Sequence, residues 1–248
     1  MMTKVILPTL IFNKPISIEK QVTKIKHYGA DGIEVRRECL TDVSTELEIL
    51  KRSIAASGLD PVIYSVPIEL WQDSYSLNPI AETSIKEAAF LNATHIKFSL
   101  GKFDANKADR DIFDKWLKTN LPRNMKMLIE NDQSIYGGTI LPILSFFQWK
   151  KGISVGMTFD VGNWTVNKED WLHAYQALNQ WIEYLHLKSV KRVKEGWESI
   201  PPSVEHIMIP FPAFTAIEFP LPNPNSEAPK WMNKLRKEGF NNNKTQRY

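Results

Sequence analysis

The chain reads as an α/β protein, a single (β/α)8 TIM barrel with a shortened seventh helix connection, and three observations predict it. Eight short apolar runs of strand character alternate with amphipathic, helix-like stretches along the 248 residues. Such alternation is the pattern of parallel βαβ units. Polar positions near the ends of the runs, Glu34, Ser65, Lys97, Glu130, Asp160, His186 and Glu218, recur about every 31 residues, with no break for a second domain. Inside the runs the character alternates: Ile33 and Val35, Met157 and Phe159, and Leu185 and Leu187 would face helices. Glu34, Thr158 and Asp160, and His186 and Lys188 would then face the barrel axis. An open doubly wound sheet commonly carries a glycine-rich first turn. The first turn here, Pro8–Pro15, has no glycine.

The elements follow in order. Val5–Pro8 is the first strand; its apolar run is too short to span a bilayer and lacks a small-residue cleavage pattern. Helix Ser17–Tyr28 stops before Gly29, and helix Ser44–Ser57 stops before Gly58. Both glycines stand where a left-handed C-cap is expected. Between them lies strand Gly32–Val35. Strand Pro61–Val66 precedes helix Pro79–Leu91, and strand Thr94–Leu100 precedes helix Asp111–Thr119. Lys126–Glu130 and Val155–Asp160 are strands, followed by helices Thr139–Trp149 and Lys168–Leu178 respectively. After strand Ile182–Lys188, the connection Arg192–Pro212 is interrupted by Pro201 and Pro202, so any helix in it is short. Strand Thr215–Phe219 and helix Ala228–Lys237 complete the set. Residues 1–240 are assigned to the barrel and 241–248 to a flexible C-terminal tail.

Composition narrows the class. An apolar fraction of 43% is ample for a core and excludes global disorder. The 31 basic and 28 acidic residues are interspersed and leave a net charge of only +3, which argues against a nucleic-acid partner. No segment is long and apolar enough to cross a membrane. The single cysteine, Cys39, cannot form an internal disulfide, which suits a reducing compartment, and the expected location is cytoplasmic.

Chemistry concentrates in four residues. Glu130, Asp160, His186 and Glu218 lie in the apolar runs MLIE, MTFD, YLHL and TAIE, separated by 30, 26 and 32 residues. A ring of parallel strands brings such positions together at its C-terminal mouth, where barrel enzymes keep their chemistry. Three carboxylates and one imidazole suit one divalent ion, Mn²⁺, Zn²⁺, Co²⁺ or Mg²⁺, without selecting among them. A metal there would polarise a substrate carbonyl and stabilise an enediolate, while carboxylates remove a proton from carbon and return it. That suits isomerisation or epimerisation of a hydroxy-ketone sugar, or proton abstraction leading to dehydration.

Other residues divide between structural and functional readings. Lys97 and Lys188 would point inward, and a buried lysine needs a partner. Lys97 is expected to pair with a carboxylate; Lys188 either pairs or meets an anionic substrate. Lys188, Lys191, Arg192 and Lys194 form a basic run after the seventh strand, read as solvated in preference to phosphate-binding. Trp71, Trp164 and Trp197 fall in top-face loops, where they wall a sugar pocket by stacking or simply pack. His27, His95, His173 and His206 have no partner spacing.

The segments GADGIEVRRE (Gly29–Glu38), MLIEND (Met127–Asp132), TFDVGNW (Thr158–Trp164), YLHLKS (Tyr184–Ser189) and AIEF (Ala216–Phe219) resemble, in order and spacing, the strand signatures of the xylose isomerase-like TIM-barrel family. That family includes sugar phosphate isomerases/epimerases, ketose 3-epimerases, inosose-processing enzymes and endonuclease IV. The resemblance implies that Glu130, Asp160, His186 and Glu218 are the ligands of a mononuclear metal site. It also implies that Glu130 and Glu218 are the acid/base pair. Glu34 and Arg36 match residues lining the substrate pocket, and Lys188 and Asn163 are grouped with them as substrate contacts.

The chain also departs from the family pattern. Asn163 stands where many members have a histidine, and Ser189 stands where many have an aspartate. The segment Val193–Phe214 is compact and proline-rich, and Pro220-Leu221-Pro222 follows Glu218 without an arginine. With five histidines in all, the chain lacks those that a trinuclear endonuclease IV cluster requires. The expected function is a metal-dependent isomerase/epimerase acting on a small-molecule carbohydrate. A dehydratase, or a non-catalytic metabolite-binding barrel with a retained metal site, are the alternatives, and a homo-oligomer is left open.

Overall fold

The computed structural model describes residues 3–12 and 15–245. Along the chain run β1 (Lys4–Pro8), α1 (Ile18–His27), β2 (Gly32–Arg36), α2 (Val43–Ser57), β3 (Val62–Trp71), α3 (Ile80–Phe90), β4 (His95–Gly101) and α4 (Arg110–Asn120). Then come β5 (Lys126–Glu130), α5 (Ile140–Trp149), β6 (Val155–Asp160), α6 (Val161–Val166), α7 (Trp171–Leu178) and β7 (Ile182–Leu187). The chain closes with β8 (Ser189–Val193), β9 (Gly196–Ile200), α8 (Val204–Ile207), β10 (Phe214–Ile217) and α9 (Pro224–Thr245). β1 to β7 and β10 form a closed barrel in the order β1-β2-β3-β4-β5-β6-β7-β10, every neighbouring pair parallel. The fold is the expected α/β barrel.

The alternation read in the strands sorts the interior into two layers. Ile33, Val35, Met157, Phe159, Leu185 and Leu187 belong to the large core between strands and helices. Ile6, Ile63, Leu128, Tyr184 and Ala216 form a separate plug on the barrel axis, with Phe214 packed against it. The charged positions Glu34, Lys97, Asp160, His186 and Lys188 are buried above this plug, toward the C-terminal strand ends. Gly29 (φ +87°) and Gly58 (φ +66°) adopt the left-handed conformation expected of them at the ends of α1 and α2. Aspartates begin several helices: Asp42, Asp109 and Asp170 each accept a backbone N–H in the first turn of α2, α4 and α7.

Several connections differ from the sequence reading. β3 continues five residues past Val66, and its register against β4 shifts between Ser65 and Glu69, around Pro67. A bulge is where a strand tolerates a residue without an N–H, so the proline did not end the strand. The sixth connection holds α6 as well as α7. The seventh contains an antiparallel hairpin, β8 with β9, turning at Gly196 (φ +130°), before the four residues of α8. The last helix spans Pro224–Thr245, so residues 241–245 of the stretch expected as a tail are helical, while 246–248 lie outside the described residues. Among the described residues no helix is long and apolar enough to cross a membrane.

Candidate metal centre

Each of the four expected ligands arrives at the mouth on its own strand. Glu130 is the last residue of β5, Asp160 the last of β6, and Glu218 directly follows β10. His186 lies on β7, in register with Asp160 on one side and Ala216 on the other. One side-chain atom from each of the four falls within 4.8 Å of the others. His186 Nδ1 is 2.9 Å from Glu130 Oε1, 3.3 Å from Glu218 Oε2 and 3.8 Å from Asp160 Oδ2. Neither that nitrogen nor Asp160 Oδ2 makes a hydrogen bond of acceptable geometry, although both are buried. Buried polar atoms are ordinarily satisfied. An unpartnered imidazole nitrogen facing three carboxylate oxygens fits a divalent cation with one nitrogen and several oxygen ligands.

The cluster is held from below and from the sides. Glu34 Oε2 accepts from Tyr184 Oη at 2.6 Å and from His186 Nε2 at 2.9 Å, and Lys97 Nζ stands 3.1 Å from Glu34 Oε1. Lys97 also lies 2.9 Å from Glu130 Oε2, so the expected pairing of this lysine is met twice. Lys188 Nζ bridges Asp160 Oδ2 at 2.7 Å and Glu218 Oε2 at 2.6 Å. Arg36 pairs with Glu218, Glu38 and Glu34. The side chains of Glu130 and Arg36 are 13% and 16% exposed, those of Lys188 and Glu218 only 7% and 6%. A cavity of about 540 Å³ lies beside β1 and β2, lined in part by Thr9, Phe12, Val35 and Cys39. None of the four ligand candidates is in its wall.

The backbone around Asp160 is locked by amides. Asn131, directly after Glu130, donates from Nδ2 to Asp160 O at 2.8 Å and accepts Asp160 N–H at 2.8 Å. Asn163 donates from Nδ2 to Asn131 O at 2.8 Å, and its own N–H goes to Asp160 Oδ1 at 2.9 Å. Asp160 is thus the N-cap of α6 and a member of the cluster at once. Asn163, expected as a substrate contact, is buried in this clamp and also takes a hydrogen bond from Gln133.

Four carboxylates face three fixed cations in this volume. Burial pushes the Asp160 carboxyl up to about 6, partly offset by Lys188. Burial would also raise Glu34 and Glu218, but Lys97 and His186 hold Glu34 well below the usual carboxylate range. Lys188, His186 and Arg36 do the same for Glu218. For His186, burial and Lys97 favour the neutral ring, while Glu218, Glu34 and Glu130 outweigh them and raise its pKa well above the ordinary value. The carboxylates therefore set up a field that favours positive charge at Nδ1.

The remaining candidates fall outside the cluster. Trp71 packs among Phe103, Phe113 and Trp149, and Trp164 lies tilted against Phe159, both buried. Their apolar bulk packs in the outer core, and the cavity of about 570 Å³ that Trp71 helps to line, with Leu77, Phe113 and Trp116, holds none of the four ligand candidates. Trp197 is half-buried on the hairpin beneath the Arg192 guanidinium, 5.5 Å away. Lys191, Arg192 and Lys194 are exposed. Ser189 fastens the hairpin base: its Oγ lies 3.2 Å from His206 Nδ1 and accepts Ser203 N–H at 3.1 Å. Tyr184 and Asn131 were missed as members of the site. The signals were position alone, two residues before His186 on the same strand face and one residue after Glu130.

No family model matches the sequence, and neither does any curated protein. The likeness lies in three dimensions. A probable 3-DHS dehydratase from Bacillus anthracis matches with a TM-score of 0.63 at 16% identity, over 94% of this chain and 98% of that one. A 3-keto-D-glucoside 4-epimerase from E. coli gives 0.64 at 14% identity, over 95% and 99% respectively. A xylose isomerase-like TIM barrel/4-hydroxyphenylpyruvate dioxygenase fusion protein gives 0.67 at 11% identity, over 98% of this chain and 45% of that one. The chain has the xylose isomerase-like TIM-barrel fold.

Proposed function

We propose that this barrel is a divalent-metal-dependent isomerase or epimerase of a small sugar or sugar phosphate, working through an enediolate at its C-terminal mouth. One observation carries the reading: a buried, unpartnered His186 Nδ1 faces Glu130, Glu218 and Asp160 at 2.9, 3.3 and 3.8 Å. Similarity of fold to a sugar epimerase and to a probable dehydratase supports the same class of chemistry.

Glu130, Asp160, His186 and Glu218 would hold the ion, which when bound supplies a Lewis acid for a substrate carbonyl. Glu130 and Glu218 move the proton: one takes it from the carbon beside the carbonyl and the other returns it. Arg36 and Lys188 keep Glu218 ionised and offer N–H donors to substrate oxygens. Asp160 and His186 take no part in proton transfer. Loss of water from the same enediolate uses the same residues, and product analysis separates the two outcomes.

The test is turnover of a ketose panel in D₂O by the metal-loaded protein, after metal analysis of the purified chain. Deuterium should enter the substrate carbon, and Glu218→Gln should lower exchange by about 10²–10⁴-fold, the usual contribution of a general acid or base. Exchange persisting at the wild-type rate in both Glu130→Gln and Glu218→Gln would overturn the assignment.

A further inference from the structure

Sequence similarity places Glu34 against substrate, but its surroundings in the barrel leave no room for that role. We propose that Glu34 is a positioning residue: it fixes the ring of His186 with the proton on Nε2 and the Nδ1 lone pair aimed into the metal cluster. The inference rests on the metal reading of that cluster.

A carboxylate offers about four lone-pair positions. Glu34 is 0% exposed, and four partners surround it. Tyr184 Oη and His186 Nε2 lie 2.6 and 2.9 Å from Oε2, while Lys97 Nζ and Arg36 Nη1 lie 3.1 and 3.5 Å from Oε1. No site is left for a substrate hydroxyl. What Glu34 does contact is the face of His186 opposite the ligands. β2 and β7 are not neighbours in the barrel, so this contact crosses the interior.

A histidine that ligates through one nitrogen commonly donates its other N–H to a carboxylate, which sets tautomer and ring angle. Here the hydrogen-bond geometry assigns the Nε2 proton to Glu34, and Nδ1 is left facing Glu130, Asp160 and Glu218. Tyr184 braces the ring from the same strand, edge-on at 4.5 Å and 83°. Lys97 neutralises Glu34 and also touches Glu130, so one ammonium supports both the orienting carboxylate and a ligand. A buried carboxylate without such a cation would be costly.

The experiment compares Mn²⁺ and Co²⁺ binding to the wild-type chain, Glu34→Gln and Tyr184→Phe by calorimetry, alongside the Co²⁺ absorption spectrum and the ¹⁵N shifts of His186. Glu34→Gln should weaken metal binding about 10- to 100-fold. It should also change the Co²⁺ band and the ¹⁵N signature of the His186 Nε2–H in the metal-loaded protein, with the melting profile still cooperative. Tyr184→Phe, which removes one hydroxyl from the same oxygen, should show a smaller loss of about threefold to tenfold. A folded Glu34→Gln protein with wild-type metal affinity and a raised KM would restore the substrate role and overturn the inference. If the Gln variant does not fold, wild-type affinity in Tyr184→Phe overturns it instead. Absence of metal binding by the wild-type chain would defeat the proposed function as well, so the two failures are distinguishable.

Discussion

Two histidines on the barrel axis, His95 at the floor and His186 at the mouth, show how far neighbours decide what a side chain does. His95 opens β4; its ring meets Phe214 edge-on at 4.9 Å, and its Nδ1 lies 2.9 Å from Thr94 Oγ1. Burial and the nearby Lys126 lower its pKa to about 4, so it is neutral at physiological pH. His186, fully buried where His95 is half-buried, is ringed by carboxylates and pushed the opposite way. The lower layer, Ile6, Ile63, Leu128 and Ala216, repels charge, and the upper layer exists by balancing it. Tyr184 joins them, with its ring in the plug and its hydroxyl on Glu34.

The sharpest way to break this contrast is to remove balance from the upper layer. Lys97→Met leaves Glu34 and Glu130 buried without their shared cation, and chemical denaturation should show a loss of about 3–5 kcal/mol. A loss near zero would mean that the layer does not depend on paired charge. The lower layer should respond to volume. Leu128→Ala should cost about 2–5 kcal/mol through the cavity it opens. Metal affinity measured by calorimetry should be unchanged, because the proposed ligands stand above the plug. Coupled loss of stability and affinity would show that the two layers are one unit.

Acid sharpens the comparison further. In the unfolded chain His95 titrates near its ordinary 6.5, and in the folded barrel near 4. Between those values the unfolded state binds more protons at this ring, so the His95 contribution to stability falls as pH drops from about 6.5 to about 4 and is flat above that window. The displacement corresponds to roughly 3 kcal/mol at most. Stability curves from pH 7 to pH 4 should therefore be shallower for His95→Leu than for the wild-type chain. Parallel curves would place the acid sensitivity elsewhere.

Much of this architecture was legible in the chain. β5 and β6 begin and end where the sequence put them, because each is a short apolar run closed by a carboxylate that cannot stay in the outer core. The quartet was legible for the same reason, repeated at the period of a strand plus a helix. The burial penalty alone required partners for Lys97 and Lys188, and both have them. What escaped was pairing without periodicity. The hairpin β8–β9 lies off the barrel with exposed Lys191, Arg192 and Glu198, so neither face carries an apolar stripe. Pro67 disguised the second half of β3, and α6 is only six residues long. Trp71 and Trp164 were read as loop residues, yet Trp71 ends the extended β3 and Trp164 lies in the short α6, where both turn into the outer core. Glu34 was visible as an inward carboxylate, but its partner on β7 is 152 residues away across the interior.

Asp160 carries a constraint of its own. Its Oδ1 caps α6 through Asn163 N–H, and its Oδ2 faces the cluster beside His186. Asparagine would serve the first duty as well, but brings no charge to the second. Glutamate would bring the charge, but from a stem one carbon too long to cap the helix while reaching the same point. The position is thus fixed by a conjunction of two requirements that no other common side chain meets. Drift at this site is closed off from both directions, even though each duty taken alone would tolerate a substitute.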